Sequence, residues 1–248
     1  MKIKTLLLFV FVLSSFTVLE KKSWQSELID KPLKILLISD LNAAYGSLTY
    51  SEDVPAVIGE IGRIKPDIIL CGGDMVAGQK ASLTEQNIKE MWQSFKATVF
   101  NPITNAKVPF GFTLGNHDAS PSFLKDRNIA AEFWKREKQA TNLTFVDAEH
   151  YPFYFSYIKN NVFFMSWDAA GAKIKPELFE WMKAQTNLDV AKKARMRILL
   201  GHLPLYAIVA AKNKPGEVNS NPDSALAFFK SNQTDMYISG QQHANHPA

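Results

Sequence analysis

Apolar and polar positions alternate along the chain in a way that predicts strands and helices in turn. Residues 33–39 form a short apolar run of strand length, and residues 67–71 form another. Between them Val54, Val57, Ile58, Ile61 and Ile64 recur at helical spacing and stop at Lys65-Pro66, which predicts a helix over 53–64. A second helix is expected over 84–98, capped by Ser82 or Thr84, then a strand over 110–114. A third helix is expected over 121–138, with Pro121 in its first turn. The aromatic-rich runs 151–157 and 161–167, separated by Lys159-Asn160-Asn161, predict an antiparallel hairpin. A helix at 176–186, a strand at 196–200, a helix at 222–230 and a strand at 235–239 complete the series. Strand–helix alternation with an inserted hairpin argues for an α/β (mixed α+β) fold of two mixed sheets with helices outside. Near-continuous apolar strands mean that both faces of each sheet are covered.

The N-terminus departs from this pattern. Lys2 and Lys4 precede the uncharged, mostly apolar stretch 5–19, which ends at Glu20-Lys21-Lys22. A positive start and a short apolar segment read as a secretory signal, with an uncleaved membrane anchor as the alternative. Residues 1–30 are therefore assigned as signal or anchor plus linker, and the expected location is exported: periplasmic, secreted or membrane-tethered. Residues 31–248 read as one domain, free of repeats and low-complexity tracts. The single cysteine, Cys71, excludes an intramolecular disulfide. The formal net charge of +4 has no basic run longer than two residues, so a nucleic-acid stripe is not indicated.

Five apolar strands end in residues able to bind a metal. Asp40 and Asn42 follow the first, Asp74 the second, Asn116, His117 and Asp118 the third, His202 the fourth, and Gln241, Gln242 and His243 the last. Glycine precedes the polar residue in four of the five, allowing sharp turns and close backbone approach. A single Gly-Asp or Gly-His is usually just a turn. Here three of the five histidines occupy such positions, which packing alone does not account for. Ligand sites of open α/β sheets lie beyond the carboxyl ends of strands, so these residues can meet in one crevice.

Gly73-Asp74, Gly115-Asn116-His117-Asp118, Gly201-His202 and Gly240-x-x-His243, in this order, resemble the block motifs of the calcineurin-like metallophosphoesterase superfamily. The resemblance covers residues 33–248. It implies a four-layer fold of two sheets flanked by helices, and a binuclear centre of divalent cations (manganese, iron, zinc or magnesium) that hydrolyses a phosphoester. By this resemblance Asp40 and His243 bind one cation, Asp74 bridges, and Asn116 and His202 bind the other. His117 acts on the substrate, with Asp118 orienting its ring. A bridging hydroxide would be the nucleophile and a protonated His117 the donor to the leaving oxygen. The substrate is a small-molecule or macromolecular phosphomonoester or phosphodiester, its specificity set by loops 43–53, 75–83 and 203–221.

Two positions depart from the common pattern. Asn42 stands where Asp-x-His usually has histidine, and its amide oxygen suits manganese or magnesium better than zinc. The opening Asp40-Leu41-Asn42, followed by Tyr45-Gly46-Ser47, is similar to a bacterial exported branch of the family. Gln241 stands where Gly-His-x-His has its first histidine, either coordinating through oxygen or leaving the second ion loosely held. The chain also ends eight residues after Gly240, as a natural short form or a truncated one. A degenerate member that binds a phosphorylated ligand or protein partner without turnover is the alternative reading. Serine-elbow and nucleotide-loop motifs are absent. Trp92, Phe95 and Phe100 read as core, Tyr151, Phe153, Phe155 and Tyr157 as one strand face, Asp168 as a rim residue, and His150 and His246 as surface.

Overall fold

A computed structural model describes residues 32–243. The expected export segment and His246 lie outside the described residues. The chain runs β1 (Ile35–Ile38), α1 (Asp53–Gly59), α2 (Ile61–Ile64), β2 (Ile68–Cys71), α3 (Glu85–Phe95), α4 (Asn101–Asn105), β3 (Phe110–Phe112), α5 (Asn116–Ala119) and α6 (Leu124–Glu137). It continues with β4 (Thr144–Asp147), β5 (Phe155–Lys159), β6 (Val162–Ser166), α7 (Pro176–Thr186), α8 (Asp189–Lys193), β7 (Met196–Leu200), α9 (Pro222–Ser231) and β8 (Met236–Ile238). Strands β1-β2-β3 form one sheet and β4-β5-β6-β7-β8 the other. The second sheet is mixed as expected: β4, β5 and β6 pair antiparallel, then β6, β7 and β8 parallel. The first is parallel throughout its described strands, because helical crossovers return the chain to the same end each time.

The sheets face one another across an apolar core. In β6, Val162 and Phe164 join the core shared with the first sheet, while Phe163 and Met165 join a second core against α7 and α9. This alternation is what a strand buried on both faces requires. On the outer side of β3, Phe112 stacks on Trp134 of α6 with ring centroids 3.9 Å apart. Trp92 and Phe95 of α3 pack on Trp134 in turn, so these aromatics are core residues as expected. Helix, sheet, sheet and helix therefore stack as four layers. Among the described residues no helix is long and apolar enough to cross a membrane.

Local chemistry explains the departures from expectation. Thr84 caps α3 by accepting from the Asn87 backbone, while the Asn87 side chain accepts from the Thr84 N–H. Helix 53–64 is split at Glu60, and Lys65 closes α2 in the left-handed region. The helix expected from Pro121 begins at Leu124 instead. Ser120, directly before proline, is forced out of the helical region (ψ 135°), which separates the short α5 from α6. The strand expected from 151 begins at Phe155, because Pro152 has no N–H to offer a ladder. Tyr151 is nonetheless buried, 4.9 Å from Phe155 between ring centroids.

Gly111 fixes the spacing of the two sheets. A Cβ there would lie 2.1 Å from the Tyr157 hydroxyl of β5 and 2.9 Å from Leu70 of β2. Tyr157 in turn stacks flat on Phe164, 5.0 Å between centroids. Gly111→Ala should therefore push the sheets apart and cost about 1–3 kcal/mol, read as a lower urea midpoint. An unchanged midpoint would show that this contact does not set the spacing.

Candidate metal centre

The carboxyl ends of both sheets point to the same place, and the chain reverses there under strain. Asp40 follows β1, Asp74 follows β2, and Gln241 and His243 follow β8; their φ angles are 53°, 53°, 67° and 52°. Positive φ at a non-glycine residue costs about 1–3 kcal/mol and persists only where surrounding contacts enforce it. Those contacts are present. The Asp40 N–H donates to the Gly73 carbonyl, and Leu41 and Asn42 N–H groups donate to the Asp74 carbonyl. Across the sheets, the Gln241 N–H donates to both carboxylate oxygens of Asp40 at 3.1 and 3.0 Å. Gly240 N–H donates to the His202 carbonyl.

At the centre lies His202, fully buried. Its Nδ1 is 2.7 Å from the Gly72 carbonyl oxygen. A carbonyl only accepts, so Nδ1 carries the proton and Nε2 is the nitrogen turned to the site. Around Nε2 stand three oxygens: Gln241 Oε1 at 2.7 Å, Asn116 Oδ1 at 3.0 Å and Asp74 Oδ2 at 3.3 Å. An imidazole lone pair facing three acceptors is repulsive unless positive charge lies among them. Without a cation that charge is a proton. Burial pulls the His202 pKa down, but Asp74 and Asp40 outweigh it and lift it to about 10. Burial would raise Asp74, yet the charge and hydrogen bond of His202 hold it below its ordinary value. One nitrogen and three oxygens converging on a point that demands positive charge is a donor set that fits a divalent cation.

Asp40, Asp74 and His202 offer ligand atoms that all lie within 4.8 Å of one another. His243 Nε2 is 3.4 Å from Asp40 Oδ1, and its side chain is 62% exposed, so this edge of the group opens to solvent. Asp74 sits between the halves, with Oδ1 accepting from the His117 N–H at 2.9 Å. The approach is so close that a Cβ on Gly115 would lie 2.1 Å from Asp74 Oδ1, which accounts for glycine before Asn116.

Of the residues picked out from sequence, Asp40, Asp74, Asn116, His117, His202, Gln241 and His243 are joined in this one network. Asn42 is held beside it through its backbone, but its side chain makes no hydrogen bond to another described residue. Asp118 is not where its expected role puts it. It sits in the first turn of α5, where a side chain points back toward the helix start. Its carboxylate accepts from the backbone of Met75, Val76 and Gly115 instead of the His117 ring. Burial and then Asp74 push its pKa up to about 7, against the pull of the Gly115 and Val76 hydrogen bonds. The His117 ring is steered by Gly78, whose carbonyl oxygen lies 3.2 Å from Nδ1. That leaves Nε2 facing Asp74 Oδ2 at 4.0 Å. Asp168 is paired with Arg127 and His150 stacks on Tyr154 at the surface, as structural positions should.

Four neighbours were given no individual site role from the sequence. Ser39 Oγ donates to Asp40 Oδ2 at 2.6 Å, and Asn116 Nδ2 donates to Gln79 Oε1 at 2.8 Å. The Tyr45 ring lies 5.1 Å from the His117 ring. Glu217 accepts from Gln241 Nε2 at 2.5 Å. Two carried a sequence signal: Ser39, directly before Asp40, and Tyr45, in the Tyr45-Gly46-Ser47 run that follows Asp40-Leu41-Asn42.

Comparison with known proteins places the fold and the family. The fold resembles purple acid phosphatase PPD1 of yellow lupin (Lupinus luteus) seeds, 18% identical, with a TM-score of 0.57 over 84% of this chain and 37% of that one. A second solved structure, 16% identical, aligns with a TM-score of 0.52 over 88% of this chain and 87% of its own. The protein TT1561 of Thermus thermophilus is 12% identical, with a TM-score of 0.46, over 84% of this chain and 81% of that one. The chain thus spans about a third of the lupin protein's length. No curated protein sequence matches it. A family model for calcineurin-like phosphoesterase matches residues 33–245, from the start of β1 to beyond His243, and the chain belongs to that family of phosphoester hydrolases.

Proposed function

We propose that the chain hydrolyses a phosphomonoester or phosphodiester with two divalent cations. Asp40, His243 and Asp74 would hold one, and Asp74, Asn116, His202 and Gln241 the other, with Asn42 beside the first. The observation that carries this reading is the convergence of three oxygens on His202 Nε2 in a buried site. Cations bound there would supply Lewis acidity toward the phosphoryl oxygens and a water acidic enough to attack at neutral pH. The oxygen-rich donor set favours manganese or magnesium over zinc.

The chain's own residues do the rest. His117, with Nδ1–H on the Gly78 carbonyl, presents Nε2 toward the site and would hand a proton to the leaving oxygen. Tyr45, 55% exposed, flanks the same ring and would line the path of the leaving group. Asp118 would act at one remove, tying the loop 75–76 to the start of α5 so that Asp74 and His117 keep their spacing. We further propose export of the protein, on the strength of Lys2, Lys4 and the apolar stretch 5–19. The second reading, a binder without turnover, draws on Asn42, whose side chain makes no hydrogen bond to another described residue.

Asp74→Ala should reduce cation uptake from two per chain to at most one and bring hydrolysis of a chromogenic phosphoester to background. Elemental analysis beside the assay checks this, and unchanged turnover would refute the centre. Two cations bound with no turnover on any phosphoester would support the binder instead. His117→Asn should leave cation uptake intact while lowering kcat by about 10²–10⁴-fold. The loss should shrink for esters of acidic phenols, whose oxygens leave without a proton. An equal loss for acidic and basic leaving groups would remove His117 from the acid role.

A further inference from the structure

The glutamine at 241 raises a chemical difficulty that histidine would not. A primary amide presents an acceptor at one end and two donors at the other, and the ends are nearly identical in shape. If the amide turned over, its NH2 group would face His202 Nε2 and repel a cation. Something must select one orientation.

The loop 203–221 supplies it. Glu217 Oε2 accepts from Gln241 Nε2 at 2.5 Å. A carboxylate only accepts, so the nitrogen end is bound to Glu217 and the oxygen end must face His202, 2.7 Å from Nε2. Glu217 is itself held. Lys212 Nζ donates to the same Oε2 at 3.0 Å, and Lys214 Nζ lies 3.8 Å from Oε1. Partial burial would raise its pKa, but the hydrogen bonds from Lys212 and Gln241 keep it below the ordinary carboxylate value. The next residue pins the same loop: Gln242 Oε1 accepts from the Ile208 and Val209 N–H groups, and its Nε2 donates to the Glu217 carbonyl. Gln241, which replaces the usual histidine, and Gln242 beside it are thus both bound to one loop.

We propose that Glu217 is a positioning residue that makes Gln241 a cation ligand, by locking its amide with the oxygen turned to the second cation position. The inference rests on the two-cation reading, and it makes Gln241 a built variation of the motif and not a decayed one. Outer partners of ligating side chains typically contribute about ten- to a hundred-fold to affinity.

The experiment is titration of the metal-free full chain with manganese(II), resolving the second binding step, for the wild type, E217A, Q241A and the double variant. E217A should weaken the second step about 10–100-fold and leave the first unchanged. E217Q, which keeps an acceptor oxygen but loses the charge that holds Lys212, should weaken it less. In the Q241A background the E217A effect should vanish, because there is no amide left to orient. An E217A protein with unchanged second-step affinity would overturn the assignment. So would an E217A loss that persists in the Q241A background, since Glu217 would then act through the loop alone. A wild-type chain binding fewer than two ions would overturn the two-cation reading itself, and this inference with it.

Discussion

The hydrogen bond between His202 Nδ1 and the Gly72 carbonyl fixes more of this structure than its size suggests. It joins the end of β7, in one sheet, to the turn after β2, in the other, and it is wholly buried. In stability such a bond contributes only about 0.5–1.5 kcal/mol net. Its directional effect is larger, because it decides which imidazole nitrogen faces Asp74, Asn116 and Gln241. Turning the ring over would break this bond and put a ring C–H, in place of Nε2, among those three oxygens. Fold and site are thus coupled at one atom.

The remaining geometry follows from holding two sheets at a fixed distance so that their strand ends can share that atom. Tyr157 lying on Gly111 sets the spacing in the core, and Phe112 on Trp134 seats the first sheet against its helices. At the open end polar bonds join the sheets, Gln241 to Asp40 and His202 to Gly72, while Gly240 to His202 ties β8 to β7 within the second sheet. Left-handed Asp40, Asp74 and Gln241 are tolerated there because each is held by these bonds or by the strand before it. Packing energy from the core is what sustains strain at the rim.

Much of this was legible in the sequence, for reasons that differ by residue. The strands β2, β3 and β7, which lead to Asp74, His117 and His202, are buried on both faces for most of their length, so their apolar runs stand out, and glycine marks the turn after every site strand but β1. The helix α5 was not legible, since four residues carry no periodicity and its end is dictated by Pro121. Asp118 was placed by motif against the His117 ring, but a side chain in a first helical turn points backward, and backbone N–H groups claim it. Glu217 itself was not legible, although its loop 203–221 was expected to shape specificity. It lies 24 residues before its partner in a loop without period, and a lone glutamate close to lysines reads as solvated surface.

That pair of lysines bears on how an acidic residue can stand beside the proposed phosphoester site. A free carboxylate at Glu217 would add to the negative charge of Asp40 and Asp74 and repel a phosphoester before it reached the centre. Lys212 at 3.0 Å and Lys214 at 3.8 Å offset that charge locally, so Glu217 can orient Gln241 through a short contact while contributing little field at longer range. Histidine at 241 would need no such arrangement, since a neutral ring can present a lone pair without an acidic partner. A chain that uses glutamine there needs an acceptor to orient the amide and, where that acceptor is an acid, bases to mask it. The loop 203–221 holds both, between Lys212 and Glu217.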